Sequence, residues 1–186
     1  MKESSSLLIT TTVTILLAFI GYLVKYFNDL ALARRKDKLD RINKQLGDLY
    51  GPLYSLLKSN EQAWASFRKT YKPGGAYFDP LNPPNDEQLA AWRHYMKVVF
   101  MPANEKIYDV IVSKSDLLIE NDMPACLLKL ISHIVVYKAV IKNWELGKIE
   151  ENTSIINFPD DAREYVYASF EKLKKEQFQY LHKRSV

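Results

Sequence analysis

The chain has 186 residues, one cysteine and a net charge of +4. Lys2 and Glu3 cancel, residues 25–45 hold seven Lys/Arg against three Asp, and the rest is balanced, so the pI of about 9.0 is no sign of a nucleic-acid-binding domain. A lone Cys126 excludes an intrachain disulfide, which fits a reducing cytoplasm.

The first element is a membrane span. Residues 4–24 carry no charge, and at about 1.5 Å per helical residue they cross a hydrocarbon core of about 30 Å. A cleaved signal peptide and a buried soluble helix are the alternatives. The near-neutral start, the long apolar run and an Ala-x-Ala placed beside Arg34, Arg35 and Lys36 favour a retained span. Lys25, Arg34, Arg35, Lys36, Lys38 and Arg41 then form a basic collar. It meets anionic lipid or simply enforces topology, and it puts the C-terminal part in the cytoplasm and the N-terminus outside. Ser6, Thr10, Thr14 and Ala18 recur every four residues. They are either a small-residue face for a homodimer through the first helix or a chance spacing of residues that membranes tolerate.

Everything after the span reads as helix. The expected division is an anchor (1–24), a basic juxtamembrane helix (25–45) and a helical bundle (46–186). Leu39, Ile42, Leu46, Leu49, Leu53 and Leu56 make a short heptad seam, interrupted by Gly51 and Pro52, where a kink or a helix restart is expected. The seam serves a coiled coil between copies or packs inside the monomer. The break at Gly51-Pro52 favours internal packing for Leu46 to Leu56. A second helix covers about 52–71. Residues 72–84 hold four prolines and read as a loop, with Tyr77, Phe78 and Leu81 folding back or meeting a partner.

Asn85 and Gln88 announce a capping box for a third helix. Its seam is Leu89, Trp92, Met96, Val99, Ala103, Ile107 and Val110, with a kink expected at Pro102. Residues 124–146 form a fourth helix, apolar on most sides and so central, stopped by Gly147. Leu128 and Ile134 are both expected in its core. The last helix starts at Pro159, with Asp160 and Asp161 suiting its dipole, and buries Val166, Phe170, Leu173 and Leu181. The fold class is all-α: one transmembrane helix continuing into a cytoplasmic four- or five-helix bundle.

Catalytic signals are poor. His94, His133 and His182 fall in no metal-binding spacing, and Cys126 and His133, seven residues apart, sit about 10 Å apart on a helix, too far for a nucleophile and its base. No arginine stands four to six intervening positions before a histidine, as helical-bundle ribonucleases require, and no phosphate-cradling glycine motif occurs. No cofactor or metal is implied.

The run Arg41-Ile-Asn-Lys-Gln-Leu-Gly-Asp-Leu-Tyr-Gly-Pro-Leu53, with Phe100-Met-Pro-Ala-Asn104, Asp122-Met-Pro124 and Asn157-Phe-Pro159, resembles a group of uncharacterised bacterial single-span membrane proteins with a helical cytoplasmic domain. The resemblance implies a bacterial inner (plasma) membrane setting and adds nothing on mechanism. The leading expectation is a membrane-anchored interaction module, a scaffold or sensor subunit working with another protein. The alternatives are an enzyme with a dispersed polar site, or a small-ligand sensor with an aromatic pocket among Trp64, Trp92, Tyr95, Tyr137 and Trp144.

Overall fold

Proline inside a helix lacks an N–H and crowds the carbonyl four residues back. Pro52 and Pro102 are both accommodated by a widened turn just ahead of them. The computed structural model describes residues 2–150 and 152–182, with side chains from Thr10 onward. In it α1 (Lys2–Lys44) passes through a π-helical turn, Gln45–Tyr50, into α2 (Gly51–Tyr71). A second π-helical turn, Met96–Phe100, joins α3 (Asp86–Tyr95) to α4 (Met101–Ser113). The N–H preceding each proline reaches back five residues, Gly51 to the Leu46 carbonyl and Met101 to the Met96 carbonyl. The helix restart or kink expected at Pro52, and the kink at Pro102, are therefore wide turns within continuous helix. Thr10–Tyr71 is one rod of 62 residues, about 90 Å long.

A single 3₁₀ turn (Ser115–Leu117), α5 (Ala125–Glu145) and α6 (Asp160–His182) complete the regular structure, and no strand occurs among the described residues. The helix ends obey local chemistry. Asn85 Oδ1 accepts from the Gln88 N–H while Gln88 Oε1 accepts from the Asn85 N–H, each at 2.9 Å. Gly147 adopts φ 78° after α5, a left-handed value that glycine tolerates, and the Lys148 N–H returns to the Asn143 carbonyl at 2.9 Å.

α2 and α5 each pack against both α4 and α6, and the core lies between them. Leu46, Leu49 and Leu53 are buried in it with Ile107, Ile111, Leu127, Leu130, Ile134 and Val166, so this part of the seam is used inside the monomer. α6 runs antiparallel to the end of α1. Arg35 donates to the Tyr180 carbonyl (2.6 Å), Gln177 to Asn43 Oδ1 (2.7 Å), and Lys38 stands 3.9 Å from Glu176. Beyond Arg35 toward the N-terminus, Ile15, Leu17, Phe19, Val24 and Phe27 are all exposed. This one helix is long and apolar enough to cross a membrane, and none of its apolar window is buried.

Three sequence expectations need correction. α5 is not buried all round: Leu128 is 51% exposed and Val135 is exposed beside it. Leu128 belongs to an outer face, one residue away from the stripe Leu127, Leu130, Ile134. Leu181 is likewise exposed, beyond the last packed turn of α6. In the 72–84 loop Tyr77 is buried and Phe78 half-buried against the core, but Leu81 points to solvent. The loop is drawn in by Lys72, a buried lysine whose ammonium donates to the carbonyls of Tyr77 and Asn82.

Candidate ligand cavity

The wide turn at Met96–Phe100 decides which side of α4 faces inward. It adds about one residue to the helical repeat. Phe100 and Asn104 are therefore buried, while the expected Val99 and Ala103 are only half-buried. On α2, Asn60 Nδ2 donates to Asn104 Oδ1 at 3.1 Å. Beside this amide pair Trp64, Trp92 and Phe100 meet at ring-centroid separations of 5.5–6.1 Å, with Phe78 against Trp92. α5 adds His133 and Tyr137, and α6 adds Asp160 and Arg163 at the rim. The remaining wall is a strap of irregular chain, from Thr153 to Phe158.

That strap is pinned by side chains from below. Trp92 Nε1–H and the Tyr137 hydroxyl both donate to the Asn152 carbonyl, at 2.7 and 3.0 Å, and Arg93 donates to Asn152 Oδ1 at 2.9 Å. His133 Nδ1–H donates to the Ile156 carbonyl at 2.5 Å. The cavity is a half-open cleft of about 310 Å³, at the lower end of the usual range for small-molecule pockets.

Two buried side chains keep an unused polar atom here. No fully enclosed side-chain nitrogen or oxygen among the described residues lacks a partner. His133 is 6% exposed and hydrogen-bonds only through Nδ1; Asn104 is 4% exposed and bonds only through Oδ1. His133 Nε2 and Asn104 Nδ2 are therefore reached by solvent, and both residues line the cavity. Donation from Nδ1 to a carbonyl leaves Nε2 as a lone-pair acceptor.

Burial lowers the His133 pKa below its ordinary 6.5, and the bond to Ile156 only partly opposes this. Neutral His133 thus stabilises the fold above about pH 6.5, and that contribution is lost as pH falls through the lowered folded value. Glu61, Asp160 and Arg163 line the same cavity. The Glu61 carboxyl is held below its ordinary value by the Lys58 hydrogen bond, so it titrates below this window. The urea midpoint of the wild type is expected to drop between pH 7.5 and 5.5, and His133→Phe should flatten that drop.

A second polar cluster is structural. Tyr165 donates to Glu120 (2.5 Å), Tyr50 and Tyr165 share a hydrogen bond (2.8 Å), and the Ile119 N–H donates to the Tyr50 hydroxyl (3.2 Å). Burial raises both phenols, so they stay protonated and tie the 115–120 segment to α6. Burial also raises the Cys126 thiol, which opposes nucleophilic use.

Of the expected aromatic pocket, Trp64, Trp92 and Tyr137 line the cavity. Tyr95 packs instead on Phe67 and Tyr71, and Trp144 packs against Tyr137 outside the lining. Asn60, Glu61, Asn104 and Arg163 were not expected. Of the collar, Lys25, Arg34, Lys36 and Arg41 are exposed, whereas Arg35 and Lys38 are engaged by α6. Thr10, Thr14 and Ala18 are exposed along α1, and Thr14 Oγ1 donates to the Thr10 carbonyl at 2.8 Å; the Ser6 side chain lies outside the described residues. Among the described residues no three His, Cys, Asp or Glu side chains are grouped to hold a metal. No protein-family model, curated protein or solved structure matches the chain.

Proposed function

We propose that the chain is a membrane-anchored sensor subunit whose helical domain holds a small organic ligand. The observation that carries this reading is the aromatic-walled cavity lined by His133 and Asn104, two largely buried side chains that each keep one solvent-reached polar atom without a protein partner, Nε2 and Nδ2. A water-reached cavity with aromatic walls and a few polar atoms free to bond is the usual make-up of a small-molecule site. The strap at 152–158 supplies the link from ligand to surface, because its fixed points Asn152 and Ile156 are held by cavity residues. Native mass spectrometry of the full chain released from mild detergent tests this. A small molecule should remain bound to the wild type and be lost in Asn104→Leu, which removes the free amide and adds apolar bulk to the lining.

The membrane setting is part of the proposal. The unpacked apolar stretch of α1 needs a covering, and lipid covers it on all sides. Basic residues concentrated after it favour a cytoplasmic domain, and a bacterial inner membrane is what the sequence resemblance implies. A reporter active only in the periplasm, fused after Val186, is expected to be silent, whereas strong activity would reverse the orientation. Pairing through the span is expected to follow the small-residue face. Single cysteines at Thr10, Thr14 and Ala18, in a Cys126→Ser background, should crosslink in membranes more than cysteines at Leu8 or Leu16.

A further inference from the structure

The last turns of α6 come down beside the end of α1 that leads to the apolar stretch, where Arg35 donates to the Tyr180 carbonyl. The inner side of these turns is used. Leu173 is buried, Gln177 bonds Asn43, and Glu176 stands by Lys38. The outer side is not. Phe178 is 61% and Leu181 59% exposed, three residues apart on one helix face, and the Phe178 ring stacks on His182 at 4.0 Å. Lys174 and Lys175 stand exposed one turn further from the span on the same face. Two large apolar side chains backed by cations are the make-up of a helix that lies against a charged lipid surface.

Distance decides whether lipid is within reach. Arg35 lies 11 residues past Val24, about 16 Å along α1. Packed helices stand about 8–10 Å apart and side chains add about 5 Å, so the outer face of α6 lies about 14 Å to one side of the α1 axis. With the hydrocarbon edge at Val24, a span tilted about 20° toward α6 leaves that face about 10 Å above the edge, and a tilt of about 30–40° brings it to about 3–7 Å. The headgroup layer is about 5–7 Å thick on each side. The outer face of α6 thus enters the headgroups within the ordinary range of tilts, provided the span leans toward α6.

We propose that it does: Phe178 and Leu181 enter the headgroup layer of the leaflet facing the domain, with Lys174 and Lys175 against anionic lipid. The proposal rests on the membrane reading above and adds a second contact with the bilayer to it. Charge supports it. Residues 25–41 and 174–182 together hold eight Lys/Arg against four Asp/Glu, whereas residues 46–186 as a whole are balanced. A second copy is the rival occupant. Two copies in one membrane would meet here α6 to α6 in parallel, which sets Lys174 and Lys175 against the same pair.

Single cysteines Leu181→Cys, Phe27→Cys and Leu81→Cys, each in a Cys126→Ser background, are labelled with nitrobenzoxadiazole. The full chain is then reconstituted into phosphatidylcholine–phosphatidylglycerol bilayers with a nitroxide on some headgroups. The label at Phe27 reports the membrane reading itself, and the one at Leu81, almost fully exposed in the loop after α2, reports background. The Leu181 label is expected to lose emission about twofold or more relative to the same bilayer without nitroxide. Phosphatidylcholine alone, or Lys174→Glu combined with Lys175→Glu, should remove most of that loss and leave the Phe27 signal as it was. Quenching at Phe27 with none at Leu181 overturns the second contact and leaves the membrane reading standing. No quenching at Phe27 overturns both. A Leu181 signal indifferent to lipid charge and to the paired substitution overturns the role given to anionic lipid. A disulfide joining two unlabelled Leu181→Cys chains in membranes assigns the face to a second copy and overturns the proposal.

Discussion

Ile134→Ala is expected to lower the unfolding free energy by about 2–5 kcal/mol, the usual range for a large-to-small change in a packed interior. Ile134 has no exposed surface and lies among Leu127, Leu130 and Val166 in the core of α4, α5 and α6. Leu128 on the same helix is 51% exposed, so Leu128→Ala should move stability by about 0.5 kcal/mol or less. Urea unfolding in mild detergent, followed by tryptophan fluorescence, measures both. A large loss at Leu128 would mean that another surface covers the outer face of α5. That result would revive the expectation that this helix is apolar all round because it is central.

The helices were legible because their signals are local. A capping box, a proline at a helix start and a glycine after a helix end each act within one turn. Asn85 with Gln88, Gly147, and Asp160 with Asp161 stand at helix ends for those reasons. What the apolar pattern could not carry is register across a wide turn. A seam counted at 3-4 spacing through residues 96–110 selects Val99 and Ala103, yet Phe100 and Asn104 are the buried residues. The first seam slips in the same way, from Leu56 to the buried Leu57. In both cases a π-helical turn has added about one residue before the proline; burial moves to Leu57, Phe100 and Asn104, while Leu53 and Ile107 stay on the buried face.

The cavity was hidden for the same reason. Asn104 sits off the expected seam and reads as a surface residue until the wide turn is counted. Its partner Asn60 lies 44 positions away on α2, and nothing in the local sequence pairs the two. The strap has no periodicity at all; it is held by the side chains of Trp92, Arg93, His133 and Tyr137. Three of the five expected pocket aromatics do line the cavity, because large rings on inward faces meet wherever these helices converge. A proline just after a buried aromatic, as in Leu49-Tyr50-Gly51-Pro52 and Phe100-Met101-Pro102, was the signal that a wide turn was present.

The first of those turns makes a prediction about two glycines four residues apart. Gly51→Ala is expected to destabilise the domain by about 1–3 kcal/mol, the range for overpacking in a fixed environment. A methyl group there would lie 2.3 Å from the Leu46 carbonyl oxygen, which already accepts the Gly51 N–H and cannot swing away as a side-chain end would. The Phe170 ring, 3.9 Å off, is in ordinary contact and adds little. Gly47, in the same turn, has nothing within 4 Å of a new methyl group. Gly47→Ala should therefore stabilise by about 0.5–1 kcal/mol, because alanine loses less backbone entropy than glycine in a helix. Urea midpoints that move in opposite directions for the two variants would tie Gly51 to the wide turn. A gain for both would show that the turn relaxes to ordinary α-helix without cost, and Pro52 would then have to be accommodated by bending the rod.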